Sequence, residues 1–349
     1  MNGISVIVCC YNASKRIAPV LRHLALQKCT LDAEVIIVDN SSEDGTANVA
    51  AEEWSKYKSR ISFRIITEVR KGKTFAFEKG VNESRFKYIV ICDDDNWLTE
   101  NYLQTGYEIM ENNDKIGALG GEGLPEFESE APEWFNTLLK NGYATGPQGE
   151  ASGDISIKGW VYGAGMILRK DAYLRLKSAG FANLLTGHKG NELLSGEDSE
   201  ICYALIISGY KIWYDERLKF YHFTERHRTD WHYALKINKG YGAANIILTC
   251  YKLAVTKNLK LFSHLLWYTE VLRLMKIVLS DFSTYYYIFN KTGVNIKNLM
   301  AAKRLGELSF FLSNKSLFER NQQAVISLCN YFGFFIMENQ KLLSEKDRK

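Results

Sequence analysis

Residues 88–95 read Tyr-Ile-Val-Ile-Cys-Asp-Asp-Asp: an apolar run that passes without a break into three carboxylates. Such a run fits a strand buried on both faces, the habit of a parallel sheet. Ile4 to Cys10 (ISVIVCC) and Glu34 to Val38 (EVIIV) repeat it. Helically spaced apolar positions lie between, Ala18, Leu21, Leu24 and Ala25 after the first run and Ala47, Ala50, Ala51 and Trp54 after the second. Strand, helix, strand, helix, strand specifies an open α/β sheet with right-handed crossovers.

Ligands of such sheets bind beyond the carboxyl ends of the strands. The residues expected there are Tyr11-Asn12, Asp39-Asn40-Ser41-Ser42 and Asp93-Asp94-Asp95. Three adjacent like charges repel one another unless a cation or solvent neutralises them, and a divalent metal is the economical explanation. On extended backbone Asp93 and Asp95 would project to one side about 6 to 7 Å apart. Oxygen ligation suits Mg²⁺ or Mn²⁺, which keep open positions for a diphosphate. The residues alone fit an acidic turn capping the next helix equally well. Asp39 could accept hydrogen bonds from a base or ribose, or serve as a cap, and Asp44-Gly45-Thr46 has the composition of a turn and helix cap.

Beyond about residue 115 the pattern loosens into Gly-, Glu- and Pro-bearing loops (GALGGEGLPEFESEAPEWF), then a strand-like Trp160 to Arg169 and a helix from Asp198 to Ser208. From Trp231 the period is helical, and within 261–279 positions 261, 265, 268, 272, 275 and 279 form one apolar line. The expected division is a sheet domain over 1–240 and a helical region over 241–349.

Taken in order, SVIVCCYN, EVIIVDNSSEDGT, the Gly-Lys-rich RKGKTFAFEKGV and YIVICDDDN resemble the family 2 glycosyltransferases of the GT-A fold, over roughly the first 230 residues. The resemblance implies a mixed, mostly parallel sheet flanked by helices, a nucleotide-diphosphate sugar at the sheet edge, Mn²⁺ or Mg²⁺ on the diphosphate, and inversion at the anomeric carbon. It places Tyr11 against the nucleobase, Asp39 on the base or ribose, Asp93 near the ribose or metal beside Asp94, Asp95 on the metal, and Lys73 near the nucleotide. The stretch around Lys73 and Lys79 departs from the family's usual Arg-Asn-containing form. Gly196-Glu197-Asp198 resembles the family's E-D signature, with Asp198 as the general base that inversion requires. Helix-dipole complementarity would account for Glu197 and Asp198 without catalysis. His222 stands where the family often has a third metal-site residue; a lone His is also commonly a core or surface residue. Trp160, with the Gly163-Ala164-Gly165 turn, could shape a sugar pocket or be plain core. The processive members' Gln-x-x-Arg-Trp motif is replaced by TERHRTDWHY, so a single-addition enzyme is expected, with Arg226, Arg228 and Trp231 closing over the diphosphate or steering the acceptor.

With 46% hydrophobic and 24% charged residues, 26 Gly and 4 Pro in 349, the chain is neither disordered, collagen-like nor a disulfide-stapled mini-domain. Its seven scattered cysteines suit reduced thiols. The net charge of +4 splits into −8 over residues 1–216 and +12 over 217–349, which argues against a nucleic-acid binder with one uniform basic face. The basic, Leu- and aromatic-rich back half suits contact with an anionic membrane surface, or a helical subdomain packing on the sheet domain or on a second copy in a homodimer. The start lacks the pattern of a secretory signal, so a cytoplasmic location is expected, at most peripheral at the inner face of the plasma membrane. The functional expectation is transfer of one sugar from a nucleotide-diphosphate sugar, UDP-linked, to a glycan or lipid-linked saccharide in surface polysaccharide assembly. The competing expectations are a non-catalytic nucleotide-sugar or metal-binding module and a metal-dependent phosphohydrolase. A Rossmann dehydrogenase lacks its G-x-G-x-x-G.

Overall fold

Each apolar run singled out above is a strand. A computed structural model describes residues 1–135, 143–185, 187–189, 192–256, 266–281 and 294–334. The strands are β1 (Ile4–Cys10), β2 (Ala33–Asp39), β3 (Ser62–Thr67), β4 (Tyr88–Asp93), β5 (Asn96–Leu98), β6 (Ile116–Phe127), β7 (Gly153–Asp154), β8 (Ile167–Arg169), β9 (Gly187–Lys189), β10 (Glu192–Leu194) and β11 (Lys211–Thr224). The helices are α1 (Ile17–Ala25), α2 (Thr46–Ser55), α3 (Lys73–Glu83), α4 (Tyr102–Asn112), α5 (Lys170–Ser178), α6 (Glu197–Ile207), α7 (Trp231–Val255), α8 (Trp267–Ser280), α9 (Ile296–Ser313) and α10 (Lys315–Tyr331).

They fall into two compact units, Met1–Leu174 with Tyr210–Thr229, and Arg175–Gly209 with Asp230–Lys349. The division differs from the single cut expected near residue 240, since the chain leaves the first unit, returns to it for β11, and leaves again at Thr229. Of the apolar line expected across 261–279, positions 261 and 265 lie outside the described residues.

The first unit is built on one sheet in the order β3-β2-β1-β4-β8-β6-β11-β5, with β7 on β11. Strands β3, β2, β1 and β4 are parallel, as are β6 and β11; β8, β5 and β7 pair antiparallel. Cys10 pairs with Asp39, Asp39 with Thr67, and Cys9 with Asp93. The four parallel strands therefore stop together, and the chain leaves them along one edge at Tyr11, Asn40, Glu68 and Asp94. Helix α1 covers the sheet through Ile17, Val20, Leu21 and Leu24, all fully buried. At the far end of the unit Arg169, itself buried, donates to the carbonyls of Met110 and Asn113 at the end of α4 and of Ile116 at the start of β6.

Four elements differ from the sequence reading. Strand β6 occupies a stretch expected to be loop. A side chain at Gly121 would collide with the Leu218 carbonyl and one at Gly123 with the Ala144 carbonyl, so close backbone approach, not a turn, demands these glycines. Strand β8 begins only at Ile167, because the chain turns through Gly165 at φ +72°. Strand β3 and helix α3 were not anticipated.

In the second unit α7 and α9 cross backbone to backbone: a side chain on Gly242 would strike the Lys303 carbonyl, and one on Gly306 the Lys239 carbonyl. No helix of the described residues is long and apolar enough to cross a membrane.

Helix α3 seats Gly80 against the sheet, where an added Cβ would lie 2.5 Å from Ile7 Cγ2 and 3.2 Å from Val38 Cγ2. Gly80→Leu is expected to destabilise the protein by about 2 kcal/mol through overpacking, read as a lower urea midpoint with unchanged slope.

Candidate active site

The turn after β4 sets the chemistry. The strand ends at Asp93, and Asp94-Asp95 reverse the chain into β5. Asn96, fully buried, locks this reversal: its Oδ1 accepts from the Asp93 amide (3.0 Å) and its Nδ2 donates to Asp95 Oδ1 (3.0 Å). Asp93 and Asp95 are thus not alternate positions of one extended strand, the backbone geometry on which their expected spacing rested.

Each of the three carboxylates instead faces its own cation. Lys73, the first residue of α3, places Nζ 2.6 Å from Asp93 Oδ1. Arg16, just before α1, grips both oxygens of Asp94 through Nε (2.9 Å) and Nη2 (2.8 Å), while its guanidinium also donates to the carbonyls of Asn12 and Tyr11. Arg228, from the short 3₁₀ turn Arg226–Thr229 after β11, sets Nη1 2.9 Å from Asp95 Oδ2. Protein cations therefore supply neutralisation for which a divalent metal had been the economical explanation. The neighbours split the turn's titration. Burial pushes the Asp94 carboxyl up to about 6 against the pull of Arg16. Burial also acts upward on Asp95, but His222, Arg228 and Arg16 together hold it well below the usual carboxylate range.

His222 projects from β11, buried, toward the same turn. Its Nδ1 lies 2.5 Å from the Tyr143 carbonyl, which can only accept, so Nδ1 carries a proton. Nε2 then faces Asp95 Oδ2 at 3.6 Å. A backbone carbonyl that fixes the tautomer and turns the other nitrogen toward a carboxylate is the supporting arrangement of metal-ligating histidines. Asp95 and His222 fit Mg²⁺ or Mn²⁺ as two protein ligands, with the remaining positions left to water and phosphate oxygens. The expected third ligand, Asp93, stands with Lys73, and among the described residues no group of three His, Cys, Asp or Glu side chains is arranged to hold a metal.

Along the same edge the ends of β1 and β2 are tied together. The Asn12 amide donates to Ser42 Oγ and Asn12 Oδ1 accepts from the Glu43 amide; the amides of Ala13 and Ser14 donate to Thr46 Oγ1 and Asp44 Oδ2. These bonds hold Asn12 (φ 48°) and Ser41 (φ 62°) in left-handed backbone that non-glycine residues rarely adopt, a form of strain that gathers at binding sites. Asn40 reaches across to the carbonyls of Glu68 and Arg70 and accepts from the Gly72 amide, fixing the loop that delivers Lys73. Asp39 is buried, its Oδ1 accepting from the Ser42 amide, whereas Tyr11 is 46% exposed at the rim.

The structure thus brings Tyr11, Asp39, Lys73, Asp93, Asp94, Asp95 and His222 to one unit and the strand ends that share its edge. Trp160 is half-buried, with Lys158 Nζ 4.1 Å above its ring and Tyr162 alongside. Lys79 pairs with Glu83 along α3. Glu197 and Asp198 belong to the second unit, where they open α6. Gly196 precedes them at φ +134°, Glu197 Oε2 accepts from the Gly196 amide, and Asp198 Oδ1 accepts from the Ser199 amide at 2.7 Å. Sequence reasoning missed Arg16, Asn96 and Tyr143. Arg16 is 78 residues from its carboxylate, and only the adjacency of β1 and β4 brings the two together.

Residues 5–152 match the family model of glycosyl transferase family 2, and residues 88–300, more than half of the chain, that of glycosyl transferase family group 2. The chain belongs to the family 2 group of glycosyl transferases. Its mixed, mostly parallel sheet with flanking helices has the arrangement that the sequence resemblance implied. Among curated proteins it is similar to the poly-beta-1,6-N-acetyl-D-glucosamine synthase of Staphylococcus epidermidis, 27% identical over 122 residues, 35% of this chain and 28% of that protein. It is also similar to the dolichyl-phosphate beta-glucosyltransferase of Mus musculus, 44% identical over 101 residues, 26% of this chain and 31% of the other. The matched stretch is therefore under a third of each relative's length. Among solved structures, S. aureus TarS 1-349 in complex with UDP aligns over 90% of this chain and 92% of its own, at 13% identity and a TM-score of 0.48.

With its partner removed, a part-buried carboxylate is left uncompensated. Arg16→Met is expected to cost about 3 kcal/mol at pH 8 and less at pH 5. Asp94 already binds a proton more readily than an unfolded Asp, and loss of Arg16 raises its affinity further. The deficit must then grow as pH rises through the Asp94 titration, as urea unfolding at the two pH values will measure.

Proposed function

We propose that the chain is an inverting, metal-dependent glycosyltransferase that moves a single sugar from a nucleoside-diphosphate sugar, UDP-linked, to a hydroxyl of a glycan or lipid-linked saccharide. The observation that carries this reading is the common edge of β1, β2 and β4, where an exposed tyrosine, a buried aspartate and the carboxylate turn with its histidine leave the parallel strands together. That edge is where open α/β sheets bind nucleotides. Family membership supports it, as do the sugar-transfer activities named for both curated relatives.

In this reading Tyr11 lies against the base and Asp39 holds the base or ribose. Asp93 approaches the ribose, and Lys73 stands beside it near the nucleotide. Asp94 keeps Arg16, and with it the Tyr11-Asn12 backbone, in place. Asp95 and His222 hold Mn²⁺ or Mg²⁺, which when bound offsets the charge that grows on the departing diphosphate. Trp160 shapes the sugar pocket, and Glu197 is a substrate-binding residue. Asp198 takes the proton of the acceptor hydroxyl as its oxygen attacks C1 from the side opposite the diphosphate. The C1–O bond breaks and its electron pair leaves with the diphosphate, so the anomeric configuration inverts. The setting proposed is cytoplasmic assembly of a surface polysaccharide.

A thermal-shift screen of nucleoside-diphosphate sugars with Mn²⁺ is expected to raise the melting midpoint by about 2 to 6 °C for the cognate donor at saturation. A flat response to every nucleotide sugar would refute the reading. Asp198→Asn is expected to keep the donor-induced shift and lose turnover by about 10²- to 10⁴-fold; equal turnover would remove Asp198 from the role of base.

A further inference from the structure

Asp95 Oδ2 is claimed twice. Arg228 Nη1 lies 2.9 Å from it, and His222 Nε2 lies 3.6 Å away, too far for a hydrogen bond. The His222 side chain is 7% exposed, and with Nδ1–H committed to the Tyr143 carbonyl it turns Nε2 toward that oxygen. An imidazole nitrogen and a carboxylate oxygen close on each other only through a proton or a metal ion between them. A guanidinium on the same oxygen is a like charge beside any divalent cation placed there.

We propose that Arg228 holds the place of the divalent cation at Asp95 while the site is empty, and on loading of the cation moves its guanidinium to the donor's diphosphate. The inference rests on the nucleotide-sugar reading above and adds to it a substrate-binding residue with two positions. Three features of the structure support the exchange. The backbone at Arg228 is anchored independently of its side chain, because its carbonyl accepts from the Tyr143 hydroxyl at 3.2 Å and Thr229 Oγ1 caps Arg226 at 2.8 Å. The same tyrosine thus positions both claimants, through its carbonyl to His222 and through its hydroxyl to Arg228. The neighbouring carboxylate has its own fork in Arg16, so departure of Arg228 leaves Asp94 neutralised. A guanidinium, finally, carries the planar donor fork that phosphate oxygens accept in pairs.

The exchange predicts opposite signs for two affinities in one variant. For Arg228→Met, Mn²⁺ alone, titrated against the free-ion EPR signal, is expected to bind about tenfold more tightly than to the wild type, because its competitor is gone. UDP at saturating Mn²⁺, followed by calorimetry, is expected to bind about tenfold more weakly, because a charge-assisted phosphate contact is lost. Arg228→Gln, which retains a hydrogen-bonding group without the charge, reports the same two signs should Arg228→Met fail to fold. Unchanged or weaker Mn²⁺ binding in a folded variant overturns the exchange and leaves the nucleotide-sugar reading standing. Unchanged UDP binding removes Arg228 from the diphosphate. A wild-type protein that binds neither Mn²⁺ nor UDP overturns both readings together.

Discussion

Three successive carboxylates in one tight turn are tolerable only if positive charge meets each of them, and the first unit is arranged around that requirement. The three cations come from separate parts of the chain: Arg16 from the β1–α1 connection, Lys73 from the start of α3, Arg228 from the turn after β11. None is a sequence neighbour of the turn. They converge because β1 lies between β2 and β4 in register and because β11 pairs with β5, the strand into which the turn runs. Sheet topology and site electrostatics are in this sense one constraint, since a shift of β4 against β1 by one pair would turn Asp93 to the other face and part it from Lys73.

The three ion pairs differ in kind. Arg16 and Asp94 form a two-bond fork that also holds the backbone of Tyr11 and Asn12, so their role is to fix the rim of the site. Lys73 and Asp93 join α3 to β4 through a single ammonium, a point charge on a flexible stem. Arg228 and Asp95 share their oxygen with a buried histidine of fixed tautomer. The site thus combines a fork that fixes backbone with a carboxylate one of whose oxygens faces two partners.

The portion of this that the sequence disclosed has a physical pattern. Strands β1, β2 and β4 were legible because burial on both faces leaves an uninterrupted apolar run, and their carboxyl ends could be placed on one edge before any coordinates. Strand β3 was not, because it is the sheet's edge strand and its half-exposed Ser-Phe-Arg-Ile-Ile-Thr gives no such run. Strand β6 read as loop because close backbone contacts at Gly121 and Gly123 require the residues that elsewhere mark turns. At the site, the acidic residues were visible because they sit directly at strand ends. Of their basic partners, Lys73 and Arg228 were singled out as residues but not as partners of these carboxylates, and Arg16 not at all, because pairings across 78 and 133 residues exist only once the sheet has formed. The extended backbone assumed for Asp93 to Asp95 failed for a local reason: Asn96 folds the chain into a reversal there.

The central claim is that the diphosphate of an activated sugar, with its cation, sits at this turn. Anomalous diffraction at the manganese edge from crystals grown with UDP and Mn²⁺ tests it most directly. One strong peak is expected in bonding contact with Asp95 and His222, with the diphosphate on its open side and the uracil toward Tyr11 and Asp39. A peak on other residues, or a nucleotide bound away from the ends of β1 and β4, would contradict it.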